Sequence, residues 1–229
     1  MTNSKLSLPP GQTLRDGFPR FGLSHFANRF PRKPDVLSLK ITGLVNKGFE
    51  LSELDQLSRV EQISDFHCVT TWSQQSLHWS GYCFSEFYDR LIKPRLNGAQ
   101  TESIKVIMRG QDGYRSALLL EDMLASGVLL ADQLNHQSLG LEHGAPLRLV
   151  APAHYGYKNV KHLSQLEFVS VDTQYPTAAL KIMDHPRARV ALEERGLGLP
   201  GWVYRYLYRP LVKPTTKKFA AALKAKQER

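Results

Sequence analysis

The residue types with most chemical reach gather around Cys68. It sits in the run Asp65-Phe66-His67-Cys68-Val69-Thr70-Thr71-Trp72-Ser73, with Trp79-Ser80-Gly81 downstream. The chain has two cysteines, too few for a disulfide framework. A thiolate is a soft ligand, suited to a soft or high-valent metal centre. Cys83 stands in no motif and is expected to pack as a small hydrophobe. His67, Cys68, His78 and Cys83 could be taken as four zinc ligands, but their spacing matches no closed zinc pattern and adjacent strand residues point to opposite faces. His67 reads equally well as a satisfied strand residue. A second segment, His143-Gly144-Ala145-Pro146-Leu147-Arg148-Leu149-Val150, leads into Tyr155-Gly156-Tyr157-Lys158-Asn159-Val160-Lys161. On a strand, Arg148 has the parity opposite to Leu147 and Leu149, so if those two face the core it faces the other side.

These segments, in this order, resemble the sulfite-oxidase-like family of molybdopterin-dependent oxidoreductases. The resemblance implies a molybdenum–molybdopterin cofactor with Cys68 as the metal ligand and catalytic residue. It implies that His143 and Arg148, spaced five apart, contact the pterin, and that Asn159, Val160 and Lys161 close over its phosphate end. His67, Gly156 and Lys158 join the expected cofactor-binding set. The residue types suit such a group. The planar fork of Arg148 fits phosphate or a pterin carbonyl, Lys158 and Lys161 add cationic donors, and Gly156 and Asn159 let backbone amides come close to an anion. Asp112-Gly113-Tyr114 reads as a turn, though this turn also recurs near the cleft in the family.

The chemistry so implied is oxygen-atom transfer to or from a small molecule. No haem, flavin or iron–sulfur motif is seen, so a separate electron-transfer partner is expected. The chain departs from animal and plant sulfite oxidases, which carry several arginines after the cysteine; here none follows Cys68 until Arg90. The expected substrate pocket is therefore not that of a typical sulfite oxidase. The rival expectation is a non-catalytic member that binds a ligand or nucleic acid through its basic tail.

The positioning elements read as α+β: a mixed, β-rich domain of the sulfite-oxidase type with a helical C-terminal extension. The expected division is an N-terminal arm over 1–19, the molybdopterin-binding domain over 20–172 and a basic helical extension over 173–229. Residues 1–34, rich in Pro, Gly, Arg and Phe, are expected to wrap over the domain as an extended arm. Strands are predicted over 37–43, 60–69, 104–108, 147–150 and 166–171. Helices are predicted over 51–57, 84–92, 118–125, 188–195, 203–207 and 217–226. With 42% hydrophobic and 22% charged residues the composition is that of a folded globular chain. No secretory signal is read in 1–17 and no apolar run long enough to span a membrane is seen, so a cytoplasmic location is expected. Of the net charge of +9, residues 204–229 carry eight Lys/Arg against one Glu. Such a tail can attract an acidic partner or an anionic surface, or be a solvated cap. Phe219 and Leu223 are expected to form its apolar ridge, and the implied cleft is not expected to need it.

Overall fold

The computed structural model describes residues 8–96 and 101–228. The first seven residues of the expected arm and Arg229 lie outside the described residues. Eleven strands form two sheets among the described residues. The strands are β1 (Thr13–Leu14), β2 (Leu39–Gly43), β3 (Phe49–Leu51), β4 (Arg59–His67), β5 (Trp72–Cys83), β6 (Ile104–Gly110), β7 (Arg115–Leu119), β8 (Leu129–Leu134), β9 (Gln137–Ser138), β10 (Arg148–Val150) and β11 (Leu163–Ser170). One sheet runs β3-β2-β11-β6-β7, with β2 and β11 parallel and the other neighbours antiparallel. The other is organised around β5, which pairs with β4, with β8 and, in parallel, with the arm strand β1. β10 adds to the free edge of β8 and β9 pairs with its end.

The main core lies between the sheets. Leu39 and Ile41 of β2, Val106 and Met108 of β6, and Leu166 and Phe168 of β11 meet Leu130 of β8, Leu149 of β10 and Phe84 and Phe87 of α1 (Phe84–Phe87). Each such side chain, nearly free of solvent, contributes roughly 1.5–3 kcal/mol by leaving water. Period-two alternation then puts Leu77, Trp79, Leu129, Ala131 and Val150 on the opposite face of the β5 sheet, in a second cluster with Phe18 and Phe66 packed against it. Arg148 has the same parity as Val150, and it does face away from Leu147 and Leu149, as its position on the strand requires. Gly81 allows the close crossing of β5 and β8: a Cβ there would lie 2.2 Å from the Leu130 carbonyl oxygen.

Several local expectations are corrected. The helix expected over 51–57 is the end of β3 followed by turns. The segment 188–195 is also turns, with Ala188 and Glu193 at φ 54°. Its Ala, Leu, Glu and Arg content favours helix, but Arg189 and Arg195 are drawn to Glu194 and Glu193 and override that local preference. The region expected as one helix over 84–92 is α1 followed by a wider turn through Ile92, and only Leu120–Met123 of 118–125 is helical (α2). The C-terminal helices are α3 (Gly201–Tyr208) and α4 (Val212–Gln227). Pro214 is tolerated in the first turn of α4, where backbone N–H groups have no helical acceptor. The buried residues of α4 are Phe219 and Ala222, with Leu223 only half-buried. Phe219 packs on Phe26 and Ala27 of the arm. No helix among the described residues is long and apolar enough to cross a membrane.

Candidate active site

Cys68 sits in the tight connection between β4 and β5. Its amide donates to the Trp72 carbonyl at 2.8 Å, and the Thr71 amide donates back to the Cys68 carbonyl at 3.2 Å, with Thr71 at φ 79°. The arm fastens this loop from one side. Gln12 Nε2 donates to the Cys68 carbonyl at 3.1 Å, and the Thr13 amide and hydroxyl donate to the Thr71 carbonyl at 2.9 and 3.0 Å. The thiol is buried, 3.1 Å from the Thr70 hydroxyl. Burial pushes its pKa up, opposed by the Thr70 contact and the positive charges of Arg195 and Lys161.

Cys68 borders a cleft of about 260 Å³. Its walls come from the arm (Phe21 to Ser24), the cysteine loop (Val69, Thr70), the turn after β6 (Asp112, Tyr114), the loop after β10 (Gly156, Tyr157, Asn159, Lys161) and the C-terminal region (Met183, Tyr208, Leu211, Thr215). The expectation that the cleft does without the tail is thus corrected, because Thr215 of α4 lines it. A narrower space continues from Cys68, Phe21, Gly156 and Lys161 to Phe18, Phe66, Trp72, His143 and Arg148. Gly156 is needed where the loop meets Phe66, whose ring would lie 2.1 Å from an added Cβ.

This inner space is cationic. Arg148 is 1% exposed, and its guanidinium donates only to carbonyls, to His143 at 2.9 Å and Leu149 at 3.3 Å. Burial draws it down to about 9. Lys161 donates to the carbonyls of Phe21 and Glu142 at 3.3 and 3.1 Å. Burial, with Arg148 and Arg20 repelling it, draws it down to about 7. Among the described residues no carboxylate forms an ion pair with Arg148, Lys161 or Arg20. Asp112 is the nearby acid acting on Lys161, and its own pKa is raised by burial. His143 is held down to about 3 by burial and by Arg148 and Lys161. The indole N–H groups of Trp72 and Trp79 are buried without a hydrogen-bond acceptor, and Arg148 lies 4.9 Å from the Trp79 ring centroid. Buried charge and buried donors left open in this way are costly unless something answers them. An anionic, acceptor-rich group such as a molybdopterin fits this donor set.

The structure brings Cys68, His143, Arg148, Gly156 and Lys161 to this space, and it places the other expected residues differently. Val160 faces the main core. Lys158 points away, to Asp184 at 2.8 Å and the Ala117 carbonyl at 2.9 Å. Asn159 borders the cleft, but its amide is occupied by the backbone of Ala151, His154 and Tyr155. His67 binds the Ser73 hydroxyl at 2.8 Å, which in turn donates to Gln12. Cys83 lies at the far end of β5, and among the described residues no group of three or more His, Cys, Asp or Glu is placed to hold a metal ion. Sequence reasoning missed Phe18, Arg20, Phe21 and Arg195. The aromatic and basic run Phe18-Pro19-Arg20-Phe21 carried a signal, since Phe18 stacks on His143 with centroids 4.9 Å apart. Arg195 carried none.

A mixed two-sheet fold with one buried cysteine facing a cationic cleft defines a cofactor-binding oxidoreductase domain. Comparison with known proteins gives the same answer: the oxidoreductase molybdopterin binding domain matches residues 27–176, and the chain belongs to that family. It is a molybdopterin-binding oxidoreductase with molybdenum–molybdopterin as its cofactor, which sets the non-catalytic expectation aside. It is 32% identical over 165 residues to the uncharacterized oxidoreductase YuiH of Bacillus subtilis, covering 70% of this chain and 78% of that one. It is 28% identical over 188 residues to the protein-methionine-sulfoxide reductase catalytic subunit MsrP of Gluconobacter oxydans, covering 68% of this chain and 58% of that one. The sulfane dehydrogenase SoxCD of Paracoccus pantotrophus shares the fold, with a TM-score of 0.51 and 22% identity over 66% of this chain and 43% of that one.

Proposed function

We propose that the protein catalyses oxygen-atom transfer on a neutral, thioether-like or sulfoxide substrate, with Cys68 as the protein ligand to molybdenum. The observation that carries this is the make-up of the outer cleft beside Cys68. Its walls are largely Phe21, Leu23, Val69, Met183, Tyr208 and Leu211, and no arginine lines it. An oxyanion such as sulfite would find one cation there, Lys161, already committed to two carbonyls. A small uncharged sulfoxide finds apolar walls for its substituents. The methionine-sulfoxide reductase name of one relative is in keeping with this.

When bound, the cofactor supplies a two-electron couple and a site that can accept or give an oxygen atom. Arg148, His143, Lys161 and the Trp72 indole would hold the pterin side. Cys68 would hold the metal, its direction fixed by the loop. Reducing a sulfoxide to a thioether consumes two electrons and two protons and releases water. Asp112, whose carboxyl is kept protonated to higher pH than usual by burial, borders the cleft and suits proton delivery. The electrons come from a separate partner.

The test uses cofactor-loaded protein with a reduced dye and a small dialkyl sulfoxide, against sulfite with an oxidised dye. Sulfoxide reduction should dominate, and Cys68→Ser should abolish it in a folded protein that keeps its pterin, whereas Cys83→Ser should not. Faster sulfite oxidation, or full turnover by Cys68→Ser, would overturn the reading.

A further inference from the structure

Arg195 lies beyond the residues matched to the family, in the turns between Val190 and α3. Its side chain is fully buried. Every nitrogen of its guanidinium is engaged: Nη1 donates to the Val69 carbonyl at 2.6 Å, Nη2 to the Pro10 carbonyl at 3.0 Å and Nε to Glu193 at 3.0 Å. Its Cζ lies 4.9 Å from the ring centroid of Tyr155, itself buried. Glu193 is shared with Arg205 of α3, which donates to both of its carboxylate oxygens.

This places Arg195 against the loop on the side opposite in sequence to the arm. The Cys68 and Thr71 carbonyls are taken by Gln12 and Thr13, and the Val69 carbonyl by Arg195. A fork with three fixed donors, charge-matched by Glu193, holds a backbone more rigidly than one flexible cation would.

We propose that Arg195 is a positioning residue for Cys68. By gripping the next residue's carbonyl and the arm at Pro10, it fixes the direction in which the thiolate meets the metal. This rests on the reading of Cys68 as the ligand. Groups that orient a metal ligand from behind tune the metal as well as its affinity.

The test compares full-length wild type with Arg195→Met and Arg195→Lys, cofactor-loaded and cofactor-free. Arg195→Met should retain its pterin, since His143, Arg148 and Lys161 are untouched. Its molybdenum(V) paramagnetic resonance signal should shift in g-values and broaden. In the cofactor-free protein, the Cys68 and Thr71 amides should exchange about tenfold faster, as expected for loss of a charged hydrogen bond that holds their loop. Arg195→Lys should fall between, because Lys supplies the charge without the fork. A purely structural role would lower the melting temperature and leave the signal of the folded protein unmoved, and that result overturns the proposal. If Arg195→Met does not fold, Arg195→Lys decides alone: a displaced signal supports the proposal and a wild-type signal overturns it. The two readings fail separately, because an unchanged signal in Cys68→Ser would remove the ligand assignment whatever Arg195 does.

Discussion

Replacing Arg148 with methionine should separate cofactor binding from folding. The guanidinium is buried against two carbonyls with no carboxylate ion pair among the described residues. Its fall from the ordinary arginine range to about 9 is more than three decades, on the order of 5 kcal/mol at about 1.4 kcal/mol per decade. The sign is fixed by the direction of the shift. A base whose pKa is depressed on folding destabilises the fold wherever it is charged, so at neutral pH the whole penalty is present in the cofactor-free protein. Against it stand two charged hydrogen bonds, roughly 1.5–3 kcal/mol each. The two contributions nearly cancel, and methionine fills most of the same volume. The cofactor-free Arg148→Met protein should therefore melt within about 2 kcal/mol of wild type. Cofactor binding loses a buried charged donor, typically 2–5 kcal/mol, or about 30- to several thousand-fold in affinity. The assay is paired calorimetry of cofactor-free and cofactor-loaded protein, with pterin released and quantified by fluorescence. Normal pterin occupancy, or a cofactor-free variant that fails to fold, would refute the reasoning.

Four further outcomes follow from the same structure. Lys161 is depressed to about 7, so the folded cofactor-free state binds fewer protons than the unfolded one between about pH 7 and 10 and its stability should rise across that window; cofactor-loaded protein should show a flatter slope in the same denaturant titrations, because an anion beside Lys161 restores its pKa. Lys158→Met leaves the Asp184 carboxylate with Tyr175 as its remaining charge-stabilising donor and should cost about 3–5 kcal/mol in urea unfolding, with the Lys158→Met/Asp184→Asn pair costing clearly less. Phe219→Ala empties the contact of α4 with the arm and should cost about 3–5 kcal/mol; a loss under 1 kcal/mol would mean that α4 is a detachable cap. Truncation after Val212 should lower activity with an artificial dye as much as with a physiological electron partner, since Thr215 lines the cleft; loss confined to the partner assay would restore a docking role for the tail.

The parts of this site that sequence revealed are those whose chemistry is local. Arg148 out of phase with Leu147 and Leu149 is set by parity; Cys68 is marked by the family resemblance, and Gly156, expected to let backbone approach an anion, is instead required by the Phe66 ring. Lys158, Asn159 and Val160 share the loop of Lys161, yet spacing alone could not say which side chains turn toward the inner space; Lys161 does and the other three do not. β5 escaped notice because Ser73 to Ser76 is polar and Leu77 and Trp79 look isolated, although the strand is buried along much of both faces. The segment 188–195 has residues that favour helix, but Arg195 is held by Glu193 and by the distant Val69 and Pro10 carbonyls. Sequence periodicity has no means of reporting a bond across 126 positions.

The loop that presents Cys68 is held by residues 10–13 from one end of the chain and by Arg195 from the other. A growing chain emerging from the ribosome can form β4 and β5 early, but it has no complete grip on the cysteine until residue 195 is available. If Cys68 is the metal ligand, as proposed, cofactor capture would then follow the synthesis of residue 195. On the proposed roles of Cys68 and Arg195, nascent chains halted before that point would carry the cysteine without its full set of loop contacts, and a truncated product would be metal-poor even while β4 and β5 are intact.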